Sequence, residues 1–193
     1  MPLERATATD IATINSIPAG DLPKSEVIKF ARSHDIAVWE GRATVAKFHA
    51  DDDPKRATPY EVIESEPNLL LTTGVTILWN RVIGATATAY AVGSAWICIG
   101  DSNTAASAGQ GDMQGTNKFR QAIDTGGATV SGNTVTFVAT FGTGSGNFAG
   151  GWQEMGVANH ASNTNTLLNR LVQNFGVKTS AASWVATMSI SLS

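Results

Sequence analysis

The chain has 193 residues, a mass of 20.2 kDa and a hydrophobic content of 42%, enough for one good core, or for one core with an appendage. Its net charge of −3 and pI near 5.5 offer no concentrated basic face for nucleic acid. Cys98 is the single cysteine, so an internal disulfide is excluded. Because it lies in an apolar run, we predict a small buried hydrophobic residue and not a nucleophile.

Charged residues are concentrated at the start of the chain. Residues 1–66 contain 8 Lys or Arg and 12 Asp or Glu, whereas residues 67–193 contain 5 and 4. Charge density therefore falls roughly fourfold at Pro67. We predict an N-terminal arm and attachment region over residues 1–66 and a β-sandwich domain over residues 67–193.

The N-terminal region begins with the small and polar residues of "MPLERATATDIATINSIPAG", which show neither a sustained hydrophobic period nor a signal peptide. We predict an extended arm over residues 1–20, ordered only by contact with a partner. The next segment, "DLPKSEVIKFARSHD", predicts a short helix that Asp21 or Ser25 can cap. Its apolar positions are Val27, Ile28, Phe30 and Ala31.

Two strand predictions follow. The segment "AVWEGRATVAKFHA" alternates as a strand pair broken near Gly41, and "TPYEVIESEP" predicts an edge strand with its acids facing outward. Between them, "DDDPKR" predicts a solvated turn. Asp51, Asp52 and Asp53 lack the alternating spacing and the later Glu of a calcium loop, so no metal site is predicted.

The strongest helix signal is "NLLLTTGVTILWNRVIG", whose Leu70, Leu71, Val75, Leu78 and Val82 share one helical face. Residues 82–100 then run 19 positions without a charge, close to the length of a membrane span. They are rich in Gly, Thr, Ser and Ala, and most of their large residues share one parity. A strand over residues 89–100 of a soluble domain is therefore predicted, with no membrane partner.

Strand signals dominate the rest of the chain. The segments "GATV" and "TVTFVATFG" are joined by Ser131-Gly132-Asn133, which suits a hairpin because Gly and Asn tolerate positive φ. Further strands are predicted at "NFAGGWQEMGVAN", "LLNRLVQNFGVK" and "SWVATMSISLS". The pattern predicts a mainly β fold, an antiparallel β-sandwich or jelly-roll-like domain with one flanking helix, preceded by the extended arm and a small α+β segment.

A strand that runs into Gly100-Asp101-Ser102 is the arrangement by which GDSL-type hydrolases present a nucleophilic serine. Such enzymes also need an oxyanion block and an Asp-x-x-His block. Neither occurs in this sequence, because no histidine follows an aspartate by three positions and no Asn-Asp pair exists. No catalytic residue and no enzymatic activity are therefore predicted, and Asp101, Ser102 and Asn103 are interpreted as turn formers.

Two further features give no site prediction. The segment "GTGSGNFAGG", residues 142–151, lacks the Gly-Lys-Ser/Thr ending of a phosphate loop and leads into no predicted helix, so it predicts a flexible loop and no cofactor. The five tryptophans are interpreted mainly as core or subunit-interface residues, since four lie in predicted strands. They are Trp39, Trp79, Trp96, Trp152 and Trp184.

Several segments follow one another in a fixed order: "NLLLTTGVTILW", "IGDSNTAASAGQGDMQG", "KFRQAIDTGG", "TVTFVATFG", "NFAGGWQEMGV" and "LLNRLVQNFGVKTSAASWVATMSISLS". In this order residues 68–193, about two thirds of the chain, resemble a recurrent type of tailed-bacteriophage virion protein. Proteins of this type are capsid decoration or accessory proteins, or tail-associated components. The resemblance implies a structural role.

The leading hypothesis is a capsid decoration (cement) protein that binds the outer surface of a tailed-phage capsid through its N-terminal region and symmetric contacts. Its expected partners are the major capsid protein and copies of itself, and its expected location is the virion, assembled in the host cytoplasm. The alternative is a tail fibre, baseplate or receptor-binding component that contacts the host surface. Loops 101–115 and 142–151 would then form its contact tips.

Overall fold

The computed structural model describes residues 39–65 and 68–192. Within these ranges there is one helix, α1 (Thr72–Val82), which lies between the third and fourth strands. The strands are β1 (Trp39–His49), β2 (Glu61–Glu64), β3 (Leu69–Leu70), β4 (Trp96–Gly100), β5 (Lys118–Ala122), β6 (Ala128–Ser131), β7 (Thr134–Phe141), β8 (Trp152–Ala158), β9 (Asn169–Gly176) and β10 (Ala182–Leu192). The predicted arm over residues 1–20 and the predicted helix after it lie outside the described residues.

The strands form two five-stranded antiparallel sheets, which we call sheet A and sheet B. The order in sheet A is β2-β1-β10-β7-β6, and the order in sheet B is β3-β9-β8-β4-β5. Alternate side chains of both sheets meet in one apolar core. The fold is thus mainly β, an antiparallel β-sandwich with a flanking helix, and this prediction is confirmed.

β1 is one continuous strand of 11 residues, so the predicted break near Gly41 is wrong. It pairs with β10 along its whole length, from Trp39 opposite Leu192 to His49 opposite Ala182. Gly41 meets a different requirement, because a Cβ there would lie 2.1 Å from Asn68 Oδ1. The glycine therefore allows a side chain to approach the strand and does not turn the chain.

Sheet A takes strands from both sides of Pro67. β1 and β2 precede this position, and β6, β7 and β10 follow it. β2 lies at the edge of the sheet as predicted, and its Glu61 Oε2 is 2.9 Å from Lys47 Nζ of β1. The division predicted at residues 66 and 67 thus falls inside the sandwich, because the fall in charge density marks a change of surface and not the edge of the fold.

Sheet B differs from the predictions in three strands. β3 occupies Leu69–Leu70, where the start of the helix is predicted, because these residues pair with Arg170 and Asn169 of β9. β4 begins only at Trp96, because residues 85–95 form turns in which Ser94 Oγ donates to Ala89 O at 2.8 Å. The edge strand β5 pairs with β4 although its sequence, KFRQA, shows no apolar alternation. None of the described residues belongs to a helix that is long and apolar enough to cross a membrane.

The hairpin predicted around Ser131-Gly132-Asn133 is confirmed. β6 pairs with β7 from Ala128 opposite Phe137 to Ser131 opposite Thr134. Gly132 has φ +57° in the connecting turn, a conformation in which an L side chain would be strained. The turn thereby fixes the register that points Phe137 and Phe141 of β7 into the core.

Three aromatic rings stack in the middle of the core. The Trp152 ring lies edge-on to Phe141 at 4.6 Å and to Trp184 at 4.8 Å between ring centroids. On the far side of Trp184, Lys47 Nζ lies 4.5 Å from the ring centroid. The stack joins β7 and β10 of sheet A to β8 of sheet B, so it couples the two sheets.

The helix α1 approaches sheet B through Gly74, its one buried residue. A Cβ at Gly74 would lie 2.3 Å from the carbonyl oxygen of Leu168, just before β9. Leu71, just before the helix, donates its N–H to the same oxygen at 3.0 Å. The close backbone approach therefore explains a glycine where helix propensity would favour alanine.

We expect Gly74→Ala to lower the free energy of unfolding by about 1–3 kcal/mol, because the methyl group cannot fit without shifting the helix. In an exposed helix the same change would raise stability by about 1 kcal/mol, so the sign is diagnostic. Urea denaturation followed by circular dichroism measures the difference. Gly109→Ala, where a Cβ meets nothing within 4 Å, is the control, and an equal effect of both changes would contradict the close approach.

Candidate functional site

Ser102 and Asp101 form local turn contacts at the end of β4. The Ser102 hydroxyl accepts the backbone N–H of Thr104 at 3.1 Å and donates to Thr104 Oγ1 at 3.0 Å. Asp101 accepts the side-chain amide of Asn117 at 2.5 Å and its backbone N–H at 3.0 Å. The side-chain hydrogen bond lowers the pKa of the Asp101 carboxyl. Asp101 thus holds the two ends of the loop over residues 101–117 together, and Ser102 stabilises the turn with which the loop begins.

The two described histidines are engaged elsewhere. The His49 ring packs against Tyr60 at 4.7 Å between centroids. His160 Nδ1 accepts the backbone N–H groups of Ser162 and Asn163 at 3.2 Å and 3.0 Å. Among the described residues, the Ser102 hydroxyl therefore has no histidine as a hydrogen-bond partner.

A buried ion pair fastens loop 101–117 to sheet B. Glu154 on β8 and Arg170 on β9 both have 0% exposed side chains, and Arg170 Nε lies 2.6 Å from Glu154 Oε2. Glu154 also accepts the backbone N–H groups of Gln114 and Gly115, the shortest at 2.6 Å. Since neither side chain meets solvent, the pair shapes the loop and contacts no solute.

Arg170 completes this tie at the other end of the loop. Its Nη1 donates to Gln110 Oε1 at 3.0 Å, and its Nη2 donates to the Thr104 carbonyl at 2.9 Å. The guanidinium is thus paired with a carboxylate and two further acceptors, the condition under which a buried charge is tolerated. We call Glu154, Arg170 and their loop partners the buried tie.

A second ion pair joins the same loop to the residues after β8. Arg120 Nη2 on β5 lies 2.7 Å from Asp112 Oδ1, while its Nη1 donates to the His160 carbonyl at 2.5 Å and to Thr166 Oγ1 at 3.2 Å. Lys118 Nζ is 3.3 Å from Asp112 Oδ2 on the solvent side. The loop is therefore anchored to β5 of sheet B as well as to β8 and β9.

The loop over residues 142–151 is likewise anchored, although its sequence predicts flexibility. Trp152 Nε1 donates to the Gly146 carbonyl at 2.7 Å. Lys178 Nζ donates to the Gly142 carbonyl at 2.7 Å and to Asn147 Oδ1 at 3.1 Å. None of these partners is a carboxylate, and burial lowers the pKa of Lys178 to about 8.

The position of Lys178 predicts a specific pH dependence. The unfolded lysine has a pKa of 10.5 and the folded one a pKa of about 8, so between these values the unfolded state holds more protons and stability rises with pH. We expect the free energy of unfolding of the wild type to rise relative to that of Lys178→Met as the pH increases from about 8 to 10.5. Urea denaturation of both proteins across this range measures it, and parallel stability curves would contradict it.

The cysteine and the aspartates of the DDDPKR turn make only contacts that support the local structure. Burial raises the pKa of the Cys98 thiol to about 12, as expected of a small buried hydrophobe. Asp52 and Asp53 accept backbone N–H groups of His49 and Lys55 within their turn. In the described part of the chain, no group of three or more His, Cys, Asp or Glu side chains could hold a metal ion.

The tryptophans divide into a buried and an exposed set. Trp152 and Trp184 are in the core, and Trp96 is half-buried beside the His160 ring. Trp39 at the start of β1 is 39% exposed and Trp79 on α1 is 62% exposed. The exposed tryptophans line the same surface groove, which places them at an accessible apolar surface and not in the core.

This apolar groove, of about 540 Å³, lies between α1 and the neighbouring ends of β1 and β10. Val75, Leu78, Trp79 and Val82 form the helix side, and Leu70 of β3 also lines it. Trp39 and Leu192, which face each other across the β1–β10 ladder, line its sheet A side. We call this surface the rim groove.

Sequence reasoning did not identify the buried tie or the rim groove. The sequence indicates the tie only indirectly. Charged residues are rare after Pro67, and each one that occurs there makes an internal hydrogen bond or ion pair. The residues are Arg81, Asp101, Asp112, Lys118, Arg120, Asp124, Glu154, Arg170 and Lys178. The signal for the groove is the predicted apolar face of the helix, because Val75, Leu78 and Val82 of that face line the groove together with Trp79.

No family model, curated protein or solved structure matches the chain. The described residues define a class of architecture: an antiparallel β-sandwich whose loops are tied internally and whose rim carries an apolar groove. Each charged residue that follows Pro67 makes a hydrogen bond or an ion pair within this architecture.

Proposed function

We propose that the chain is a structural virion protein, a capsid decoration protein that binds the outer surface of a tailed-phage capsid and stabilises it. The observation that carries the proposal is the use of charge after Pro67, where every charged side chain makes an internal contact. The part of the β-sandwich that follows Pro67 thereby presents a surface with little charge. The ordered resemblance of residues 68–193 to virion proteins supports the same function.

In this proposal the N-terminal region supplies the attachment. Residues 1–38, which precede β1, contain 4 Lys or Arg and 5 Asp or Glu. A protein present in many copies on a symmetric shell needs only weak contacts in each copy, because neighbouring contacts act together. An arm that gains order on a partner provides such contacts.

The test compares the full chain with a variant that lacks residues 2–20, and with a control in which these residues are scrambled. Each protein is mixed with empty capsids of the encoding phage, and the bound fraction is measured by co-sedimentation. We expect the deletion and the scrambled control to lose at least about tenfold in affinity, because both remove the specific contacts of the arm. Unchanged binding of both variants would show that the arm is not the anchor.

A tail fibre, baseplate or receptor-binding component is the second candidate, and one observation favours it. Loops 101–117 and 142–151 meet, since a Cβ at Gly150 would lie 3.3 Å from the Cβ of Asp101. Two anchored loops of small polar residues then form one continuous surface suited to contact with a host glycan or protein. Electron microscopy of labelled particles separates the candidates: hundreds of copies on the shell support decoration, and a few copies on the tail support this alternative.

We also propose that Ser102 has no catalytic role, because both hydrogen bonds of its hydroxyl are made within its own turn. Ser102→Ala is expected to leave the hydrolysis rate of a p-nitrophenyl ester unchanged within error. It is expected to lower the free energy of unfolding by about 0.5–1.5 kcal/mol through the lost turn contacts. A large fall in the hydrolysis rate with intact folding would contradict the proposal.

A further inference from the structure

Several large apolar side chains are exposed next to one another at the rim groove. Val82 and Ile83 at the end of α1 are 72% and 76% exposed, beside Trp79 at 62%. Trp79 and Val82 line the groove together with Trp39 and Leu192, and the charged group in its lining is Arg81. A contiguous apolar surface with little charge is typical of a surface that another segment covers.

The groove lies where the N-terminal region joins the sandwich. Trp39 is both the first residue of β1 and part of the groove lining. The 38 residues before Trp39 are therefore joined to the sandwich at the groove itself. Any apolar segment that lies shortly before Trp39 is held close to this surface by covalent connection.

We propose that residues 21–38 of the same chain cover the rim groove, with Val27, Ile28 and Phe30 packed against Trp79 and Val82. The sequence of this segment predicts a short helix with an apolar face that contains these three residues. An amphipathic helix laid into an apolar groove is a recurrent mode of recognition in proteins. The polar residues of the segment, among them Lys29 and Arg32, then face solvent.

The length of the connection fits this arrangement. Eight residues separate Phe30 from Trp39, and a chain of that length spans up to roughly 30 Å when extended. A segment joined by so short a linker has an effective concentration on the order of millimolar. It therefore outcompetes the same segment of a second copy at micromolar protein concentration. The inference is independent of the proposed function, and it leaves residues 1–20 free of the groove.

The experiment uses the full chain and hydrogen–deuterium exchange measured by mass spectrometry. The test variant carries Val27→Ser, Ile28→Ser and Phe30→Ser. The matched control carries Ile11→Ser, Ile14→Ser and Ile17→Ser, so that the same number of apolar residues is lost from the N-terminal region. We expect amide exchange in residues 75–83 to rise about tenfold in the test variant and to stay unchanged in the control.

A reciprocal variant tests the groove side without altering the N-terminal segment. Trp79→Ser, at an exposed position, is expected to raise amide exchange in residues 26–32, and the melting temperature shows that the sandwich is still folded. Unchanged exchange in both the test variant and the reciprocal variant would overturn the proposal.

The concentration dependence of the protection, measured together with the oligomeric state by light scattering, identifies the occupant of the groove. We expect the same protection of residues 75–83 at every protein concentration, because the covering segment belongs to the same chain. Protection that appears only with a dimer would assign the groove to a second copy and overturn the proposal. Protection that persists in the test variant would exclude the apolar residues of this segment.

Discussion

Glu154→Gln is expected to lower the free energy of unfolding by about 3–5 kcal/mol, because it leaves the buried charge of Arg170 without its counter-ion. The two side chains have no exposed surface, and Nε lies 2.6 Å from Oε2. Water cannot replace the lost carboxylate charge at that depth. Thermal and urea denaturation measure the loss, and amide exchange in residues 104–115 is expected to rise because the buried tie holds this loop.

The reciprocal change and the double change make the prediction specific. Arg170→Met leaves Glu154 as the uncompensated charge and is expected to cost a similar amount. The double variant Glu154→Gln/Arg170→Met is expected to cost clearly less than the sum of the single changes, since neither charge then remains. Lys118→Met, which removes an ion pair on the solvent side, is the control and should change stability by less than about 1 kcal/mol. Strict additivity of the two single changes would contradict the coupling.

Trp152→Ala is expected to lower the free energy of unfolding by about 3–5 kcal/mol, through the cavity that it leaves in the core. Trp152 is fully buried, and its ring contacts both Phe141 and Trp184. Its Nε1 also donates a hydrogen bond to the Gly146 carbonyl of loop 142–151. Stability and amide exchange in residues 142–151 are therefore expected to change together.

Trp184 provides a matched comparison for the hydrogen bond. Both rings are buried and touch each other, but Trp184 Nε1 has no hydrogen-bond partner in the described part of the chain. Trp152→Phe is therefore expected to cost about 1–2 kcal/mol more than Trp184→Phe. Only the first variant should raise exchange in loop 142–151. Equal costs would mean that the contact with Gly146 contributes nothing to stability.

Much of the fold follows from local patterns in the sequence. Alternating side chains define β7 and β10, and the Gly132-Asn133 turn defines the hairpin between β6 and β7. The apolar period defines α1, although Val82 on its predicted inner face is exposed. These elements are predictable because each one buries a regular stripe of its own residues.

Other parts of the fold depend on contacts between residues that are distant in sequence. From the sequence alone, Gly41 suggests a strand break and Gly74 a weak helix position. Each glycine is explained by a residue distant in sequence, Asn68 for Gly41 and Leu168 for Gly74. The apolar pattern of β5 is weak because Gln121 shares the inner face with Phe119, and an edge strand can keep a polar side chain there. None of these requirements is local, so local patterns could not predict them.

The turn after β4 was predictable from its residue types. Asp101, Ser102 and Asn103 are typical turn formers, and the Ser102 hydroxyl makes both of its hydrogen bonds within that turn. The buried tie needs the register of β8 against β9, which sets Glu154 opposite Val172 and near Arg170. The rim groove needs the position of α1 relative to the ends of β1 and β10. Both features arise from pairing in three dimensions.

The pairing of β1 with β10 also has a consequence for how the protein folds. β10 is the middle strand of sheet A, and its neighbour β1 comes from the opposite end of the described chain. On a ribosome, β1 and β7 emerge long before the strand that must lie between them. Sheet A therefore closes only after residue 192 has been synthesised, and the high sequence separation of its central pair predicts slow folding for a chain of this size.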